Sequence, residues 1–324
     1  IMPSLVGSEM CIRDRFAPTI RHGGGKILLK QLLDALIHLD LLEKAYISNT
    51  LYDDFQKNDK ILFRFYKRTL TSNFLSYYHL HFNNNSNRRV IFFGNWPPLL
   101  KINGKTVLYL HNKLLLTKEL DYVLNLPTKL RLIMLRNIIN LFKKNIDTVF
   151  VQTKEMKDLA SRILKPIQVK LKPFISPRHM SVNIPKKYDF IYSSYGYPYK
   201  NHDLLIESWC ILAKENIFPS LYLTLDSKMD VDIISKIENA KSQYNIKIHI
   251  GTDLSNNDIY ELYSESRSLI WPSLLESFGL PLIEAVVNKL DVVAADLPYI
   301  YDILEPSLSF DPYDKIDIAD KVKR

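Results

Sequence analysis

The chain of 324 residues is 47% hydrophobic and holds only nine glycines and sixteen prolines; that is enough apolar material for two domains with separate cores, and it excludes a low-complexity chain. No apolar run reaches the roughly 18 residues of a membrane span, and Cys11 and Cys210 stand too far apart for a metal or disulfide motif, which suits a reducing, cytoplasmic setting. The net charge of +8 is uneven: residues 16–172 carry 26 Lys and Arg against 11 Asp and Glu, and residues 173–324 carry 15 against 22. A basic first half either faces something anionic, such as a membrane surface, a phosphorylated lipid or nucleic acid, or reflects compositional drift.

Residues 1–15 show neither a hydrophobic period nor a helix cap, and Met10-Cys11-Ile12-Arg13-Asp14 resembles the translation of a sequencing-library adapter, so this stretch reads as a scar outside the fold. Arg21-His22-Gly23-Gly24-Gly25-Lys26 then reads as a glycine-rich loop opening a helix that is apolar at helical spacing from Ile27. Glycines there allow φ > 0 and close approach to a ligand, or make only a turn. The strand that should precede the loop is expected to be missing or overwritten. Strands are predicted over 44–48, 61–65, 90–93 and 106–110, with an exposed polar loop over 81–89. His111-Asn112 follows at a strand's carboxyl end, where open α/β sheets bind ligands; a histidine there is a ligand contact or a hydrogen-bonded structural residue.

Residues 127–145 form a predicted helix with Leu130, Ile133, Ile138, Leu141 and Phe142 on its apolar side and Arg131, Arg136, Lys143 and Lys144 among its polar positions. It is either a core helix or a basic amphipathic helix lying on a membrane. A strand over 147–152, a helix over 154–164 capped by Thr153 and a strand over 169–174 lead into a polar linker, which separates domains of 16–178 and 179–324.

Beyond the linker, strands (188–194, 220–225, 246–250, 268–271, 291–295) alternate with helices (201–214, 230–243, 255–265, 281–288). Such repetition implies a parallel, doubly wound, Rossmann-like sheet. The first loop, Ser193 to His202, delivers Lys200 to a helix entrance, a good post for a phosphate cation. Asp230-Val231-Asp232 begins a helix and reads as capping; with no Asp-x-Asp pair at a strand end, neither a metal nor another cofactor is expected. After the strand at 268–271, Pro272 forces a turn and Pro281 suits a helix start, with Glu276 and Glu284 on either side of the outward-facing amides of 277–282. Paired carboxylates accept hydrogen bonds from vicinal hydroxyls while amides receive phosphate, a combination suited to a nucleotide sugar. The same spacing also suits plain acidity at a helix N-terminus.

The stretch Glu276-Ser277-Phe278-Gly279-Leu280-Pro281-Leu282-Ile283-Glu284-Ala285 resembles the Glu-x7-Glu signature of retaining glycosyltransferases with the GT-B fold, in particular glycosyltransferase family four. The resemblance covers about 16–324 and is strongest over 188–305. It implies two Rossmann-like α/β domains facing a cleft, the second holding the nucleotide-sugar donor and the first the acceptor, a glycan or lipid-linked glycan. It further implies sugar transfer with retention and no metal, with Glu276 on the sugar hydroxyls, Glu284 on the ribose, and Ser277, Phe278, Gly279 and Leu280 beside sugar and phosphate. By the same resemblance Gly24 and Gly25 lie beside the donor phosphates, His111 faces the donor sugar and Lys200 grips the diphosphate. The family usually carries an Arg five places before that Lys, where Tyr195 stands here, so one cation remains where two are common. The rival reading is therefore a non-catalytic nucleotide-sugar-binding protein of the same fold. The chain also reads as a fragment truncated at both ends, cytoplasmic and possible to place peripherally on an anionic membrane face; nucleic acid is not an expected partner.

Overall fold

The computed structural model describes residues 14–20, 23–56, 60–67, 69–82, 89–174 and 184–324. The expected scar up to residue 13, Arg21 and His22, the stretch 83–88 and the linker over 175–183 lie outside the described residues. The chain divides into two compact units, Ile1–Asp121 with Asn125–Ser176, and Tyr122–Leu124 with Pro177–Arg324.

Unit 1 carries a parallel sheet of β1 (Asp14–Ala17), β2 (Lys44–Ser48), β3 (Leu62–Tyr66), β4 (Arg89–Phe93), β5 (Lys105–Tyr109), β6 (Thr148–Val151) and β7 (Gln168–Leu171), in the order β3-β2-β1-β4-β5-β6-β7. Its helices are α1 (Gly23–His38), α2 (Tyr52–Phe55), α3 (Leu70–Phe82), α4 (Leu126–Phe142) and α5 (Lys154–Ile163). Val90 to Phe93 is buried without alternation, as a parallel strand covered on both faces must be. The order reverses between β1 and β4, so the loops leaving these two strands diverge and open a crevice at their carboxyl ends.

Two expectations change here, and one open choice is decided. The strand thought missing is present: β1 pairs in parallel with both β2 and β4, and Asp14 and Arg15, assigned to the scar, are fully buried in it. The Arg15 guanidinium donates to the Asp14 carbonyl (3.2 Å), and burial pushes its pKa down to about 9. Next, the three glycines are not a loop with left-handed backbone; they are the first turn of α1. Finally, α4 turns Leu132, Leu135 and Ile139 to the core, whereas Leu130, Ile133 and Leu141 point to solvent. The helix is apolar on two sides, and of the two readings open for the Leu130 side, core or surface, the structure has the surface one.

Unit 2 repeats the design with β8 (Tyr188–Ser193), β9 (Leu221–Leu225), β10 (Ile248–Thr252), β11 (Ser266–Trp271), β12 (Asp291–Ala295) and β13 (Leu308–Phe310), ordered β10-β9-β8-β11-β12-β13 and all parallel. The connecting helices are α6 (His202–Lys214), α7 (Val231–Tyr244), α8 (Asn256–Glu265), α9 (Leu280–Val287), α10 (Pro298–Tyr301) and α11 (Lys315–Lys323). Trp209 and Leu212 of α6 and Leu282 and Ala285 of α9 pack on the buried strands Ile191, Leu223 and Ile270. Here the order reverses between β8 and β11. Asp230 corrects a smaller expectation: its carboxylate does not cap α7 but accepts from the Asp226 amide at 2.8 Å. Two doubly wound parallel-sheet units are the fold class expected.

Candidate functional site

In unit 2 the loops leaving β8 and β11 are laced together at the switch point. The Tyr199 carbonyl accepts from the Leu274 amide (2.8 Å), Asn201 Nδ2 donates to the carbonyls of Pro272 (3.3 Å) and Pro312 (2.7 Å), and the Tyr299 hydroxyl donates to the Ser273 carbonyl (2.6 Å). Asn201 takes the left-handed conformation (φ 62°, ψ 33°) that ends the short turn Pro198–Lys200 and starts α6. The Tyr192 hydroxyl fixes that turn by donating to the Lys200 carbonyl (2.7 Å).

This lacing places Lys200 against Glu276, with which it forms an ion pair whose side chains are only 12% and 13% exposed. The ammonium also lies 5.2 Å from the Trp271 ring centroid and 5.6 Å from that of Tyr199, where aromatic faces favour a cation. An anion reaching this place would compete with the Glu276 carboxylate for Lys200, and hydroxyl donors would meet a carboxylate already oriented by a cation.

Glu284 has different neighbours. The Tyr260 and Tyr263 hydroxyls, three residues apart on α8, donate to Oε1 (3.0 Å) and Oε2 (3.2 Å). Burial raises the Glu284 pKa while both tyrosines act to lower it. Each oxygen thus keeps lone-pair capacity for a further donor, as a pair of vicinal hydroxyls requires.

Between the two glutamates, Gly279 sits at φ 62°, ψ 53° ahead of α9, and a Cβ there would stand 2.8 Å from Leu282 Cδ1. Backbone geometry alone thus demands glycine. Phe278 is buried and Leu280 partly covered, so what either offers a ligand is backbone; Ser277 is partly exposed.

Burial first, then Tyr197 and the carboxylates of Asp226, Asp230 and Asp253, act to raise the Tyr195 pKa. It is 45% exposed, and Gly196 beside it is pressed so close to α7 that a Cβ would fall 2.4 Å from Ile233 Cδ1.

In unit 1 the structure brings Gly25 and His111 together. A Cβ on Gly25 would stand 3.2 Å from His111 Nε2, so the glycine permits the helix start to approach the imidazole. Gly24, one residue earlier, is exposed. Asn95, left-handed at φ 64°, accepts from the His111 amide (3.0 Å) and places its Nδ2 3.1 Å from His111 Nε2. Donation from Asn95 Nδ2 makes Nε2 the acceptor and leaves the proton on Nδ1. The ring stacks on Phe93 (5.2 Å, 20°), and burial pushes its pKa down to about 4, so it is neutral at physiological pH.

Sequence reasoning missed Asn95, Tyr260 and Tyr263. Gly94-Asn95 directly after an apolar strand was a usable turn signal; two tyrosines on an amphipathic helix were not distinguishable from core. Among the described residues, no group of three or more His, Cys, Asp or Glu could hold a metal ion.

Two doubly wound parallel units, each with polar side chains at its switch point, define the GT-B class of fold. Solved structures share it over nearly the whole chain: HepE of Anabaena in complex with UDP and glucose (14% identity, 96% of this chain and 89% of that one, TM-score 0.69) and sucrose-phosphate synthase of Thermosynechococcus elongatus (16%, 97% and 89%, TM-score 0.70). Residues 176–324 match the model of the glycosyl transferases group 1. Among curated relatives, the serotype-specific mannosyltransferase WbdA of Escherichia coli is 32% identical over 108 residues, 33% of this chain and 13% of WbdA. The O-antigen chain mannosyltransferase RfbU of Salmonella typhimurium is 36% identical over 52 residues, 16% of this chain and 15% of RfbU. The matches thus span about one-seventh of these relatives' lengths.

Proposed function

We propose that the protein is a glycosyltransferase that moves a sugar from a nucleotide-diphosphate sugar to an acceptor hydroxyl, with retention of anomeric configuration. The observation that carries this reading is the Lys200–Glu276 pair at the unit 2 switch point, held in the loop that precedes Glu284. Lys200 and the amides of 277–280 take the negative charge that develops on the leaving diphosphate. Glu276 binds hydroxyls of the transferred sugar, and Glu284 accepts from the ribose. His111, neutral and oriented by Asn95, serves as a hydrogen-bonding group for a sugar hydroxyl, with Gly24 and Gly25 leaving room beside it. The names of WbdA and RfbU support mannose as the sugar, and the O-antigen chain in RfbU's name supports a glycan acceptor.

The carboxylates around Tyr195 favour a second reading, a nucleotide-sugar-binding protein without turnover, because they oppose a second phosphate contact at that place. Incubating the full chain with UDP-, GDP- and dTDP-linked hexoses, with and without glycan acceptors, separates the two. Release of nucleoside diphosphate that is lost in Glu276→Gln supports transfer. Saturable donor binding without release or transfer supports the binding protein.

A further inference from the structure

Helices α3 and α4 lie on one face of the unit 1 sheet. The connections β3 to β4 and β5 to β6 both run toward the β7 edge, and right-handed crossovers put both on the same side. Side chains agree: Tyr77 of α3 packs on Phe16 and Phe92 and donates to the Pro97 carbonyl (3.1 Å), while Asn145, just after α4, donates to the adjacent Pro98 carbonyl (3.0 Å).

On the side away from the sheet both helices expose mostly apolar side chains, interrupted by Thr71 on α3 and Asn137 on α4. On α4, Leu126, Leu130, Ile133, Met134 and Leu141 are exposed and fall within about 100° of the circumference at 3.6 residues per turn, opposite the buried Leu132, Leu135 and Ile139. On α3, Phe74, Leu75, Tyr78 and Phe82 are exposed within a similar arc, opposite the buried Ser76 and Leu80. Phe74 is 75% exposed and Leu141 68%. Scattered exposed apolar residues need no explanation, but nine on two neighbouring helices do.

The charge on these helices is of one sign. Residues 70–82 and 126–145 contain no Asp or Glu, whereas α4 and its end carry Lys129, Arg131, Lys143 and Lys144 around the apolar arc. Arg136 is turned inward, where it binds Asp121 (2.7 Å) and the carbonyls of Leu114 and Thr117. Apolar side chains bordered by cations and lacking acids match an anionic lipid surface, whose headgroups attract the cations while the acyl boundary receives the side chains.

We propose that α3 and α4 form a docking face by which unit 1 lies on an anionic membrane, with the apolar arcs entering the headgroup boundary. No helix among the described residues is long and apolar enough to cross a membrane. Because apolar burial is not screened, part of the binding survives salt, which purely electrostatic attraction from the basic half would not.

The test is co-sedimentation of the full chain with vesicles of phosphatidylcholine alone and of phosphatidylcholine with phosphatidylglycerol, at low and high salt. The protein should prefer the anionic vesicles and retain measurable binding at high salt. The exposed double substitution Leu130→Glu with Met134→Glu should weaken partitioning by at least about tenfold with unchanged thermal unfolding. Phe82→Trp should blue-shift its emission on anionic vesicles. Equal partitioning of the parent and the double variant, or no binding to either vesicle, overturns the proposal. Self-association without lipid that the double variant abolishes also overturns it and makes a second copy the occupant. None of these readouts uses a donor or turnover, so they fail or succeed independently of the glycosyltransferase reading.

Discussion

The two switch points share a topology and differ in chemistry. That of unit 2 is ionic: Lys200 faces Glu276, and Glu284 is held by two tyrosine hydroxyls. That of unit 1 is neutral, with an imidazole that burial keeps uncharged, an asparagine that binds both its ring and its backbone, and a glycine that leaves space. Parallel sheets therefore supply the place, and the residues in the two loops decide what can be held there. A charged site suits a diphosphate and hydroxyls; a neutral one suits hydroxyls by shape and hydrogen bonding.

The sharpest way to break this contrast is to remove the cation. Lys200→Ala leaves Glu276 mostly covered without its partner, and removing one member of a buried pair costs about 3–5 kcal/mol, less here because water reaches both groups. Thermal unfolding should fall and donor affinity should drop by at least about tenfold. Lys200→Ala together with Glu276→Gln should recover the unfolding temperature but not the affinity; recovery of both would mean that Lys200 does not touch the diphosphate.

Glu284→Ala should weaken nucleotide binding by about 1.5–3 kcal/mol, the worth of a hydrogen bond to a charged group. Tyr260→Phe and Tyr263→Phe each remove one orienting donor and should cost about 0.5–1.5 kcal/mol in the same titration. Nucleotide affinity untouched by all three would remove Glu284 from the site.

The neutral side is tested by pH. The folded-state pKa of His111 is about 4, below the ordinary value of 6.5, so protonation favours the unfolded chain. This effect is absent above pH 6.5 and destabilises progressively as pH falls from 6.5 toward 4. Between pH 7 and pH 5 it amounts to about 2 kcal/mol. His202, pushed down to about 3 by burial and by Lys200, acts in the same direction, so the comparison is between the parent and His111→Gln. Urea unfolding at the two pH values should show the parent losing about 2 kcal/mol more than His111→Gln; equal losses would mean that His111 titrates normally. The smallest effect is expected from Tyr195→Arg. Asp226, Asp230 and Asp253 would draw the guanidinium toward themselves, so donor affinity should change by less than about tenfold; a larger gain would mean that the site had lacked only a second cation.

Unit 2 was legible because its strands and helices alternate in short, well-separated runs, and the ordered neighbours of Lys200 and Glu276 follow from where β8 and β11 end. The Lys200–Glu276 pair itself was not legible, since it joins residues 76 apart through a strand order that no local pattern encodes. The Tyr260–Glu284 bond, spanning 24 residues, is hidden for the same reason. In unit 1 the charged Asp14-Arg15 pair disguised a central strand, and the aromatic run of α3 was read in part as loop. Helix α4 was placed correctly, but its sequence leaves open whether the Leu130 side faces the core or the outside, because period shows that a helix has an apolar side and not what covers it.

The most direct measurement is calorimetric titration of the parent and of Glu276→Gln with a nucleoside diphosphate and with its hexose conjugate. The parent should bind the conjugate more tightly than the diphosphate. Glu276→Gln should keep diphosphate affinity within about threefold, because Lys200 and Glu284 remain, and should lose the preference for the conjugate. Equal loss for both ligands, or a preference that survives the substitution, would contradict the assignment of charge to Lys200 and of sugar to Glu276.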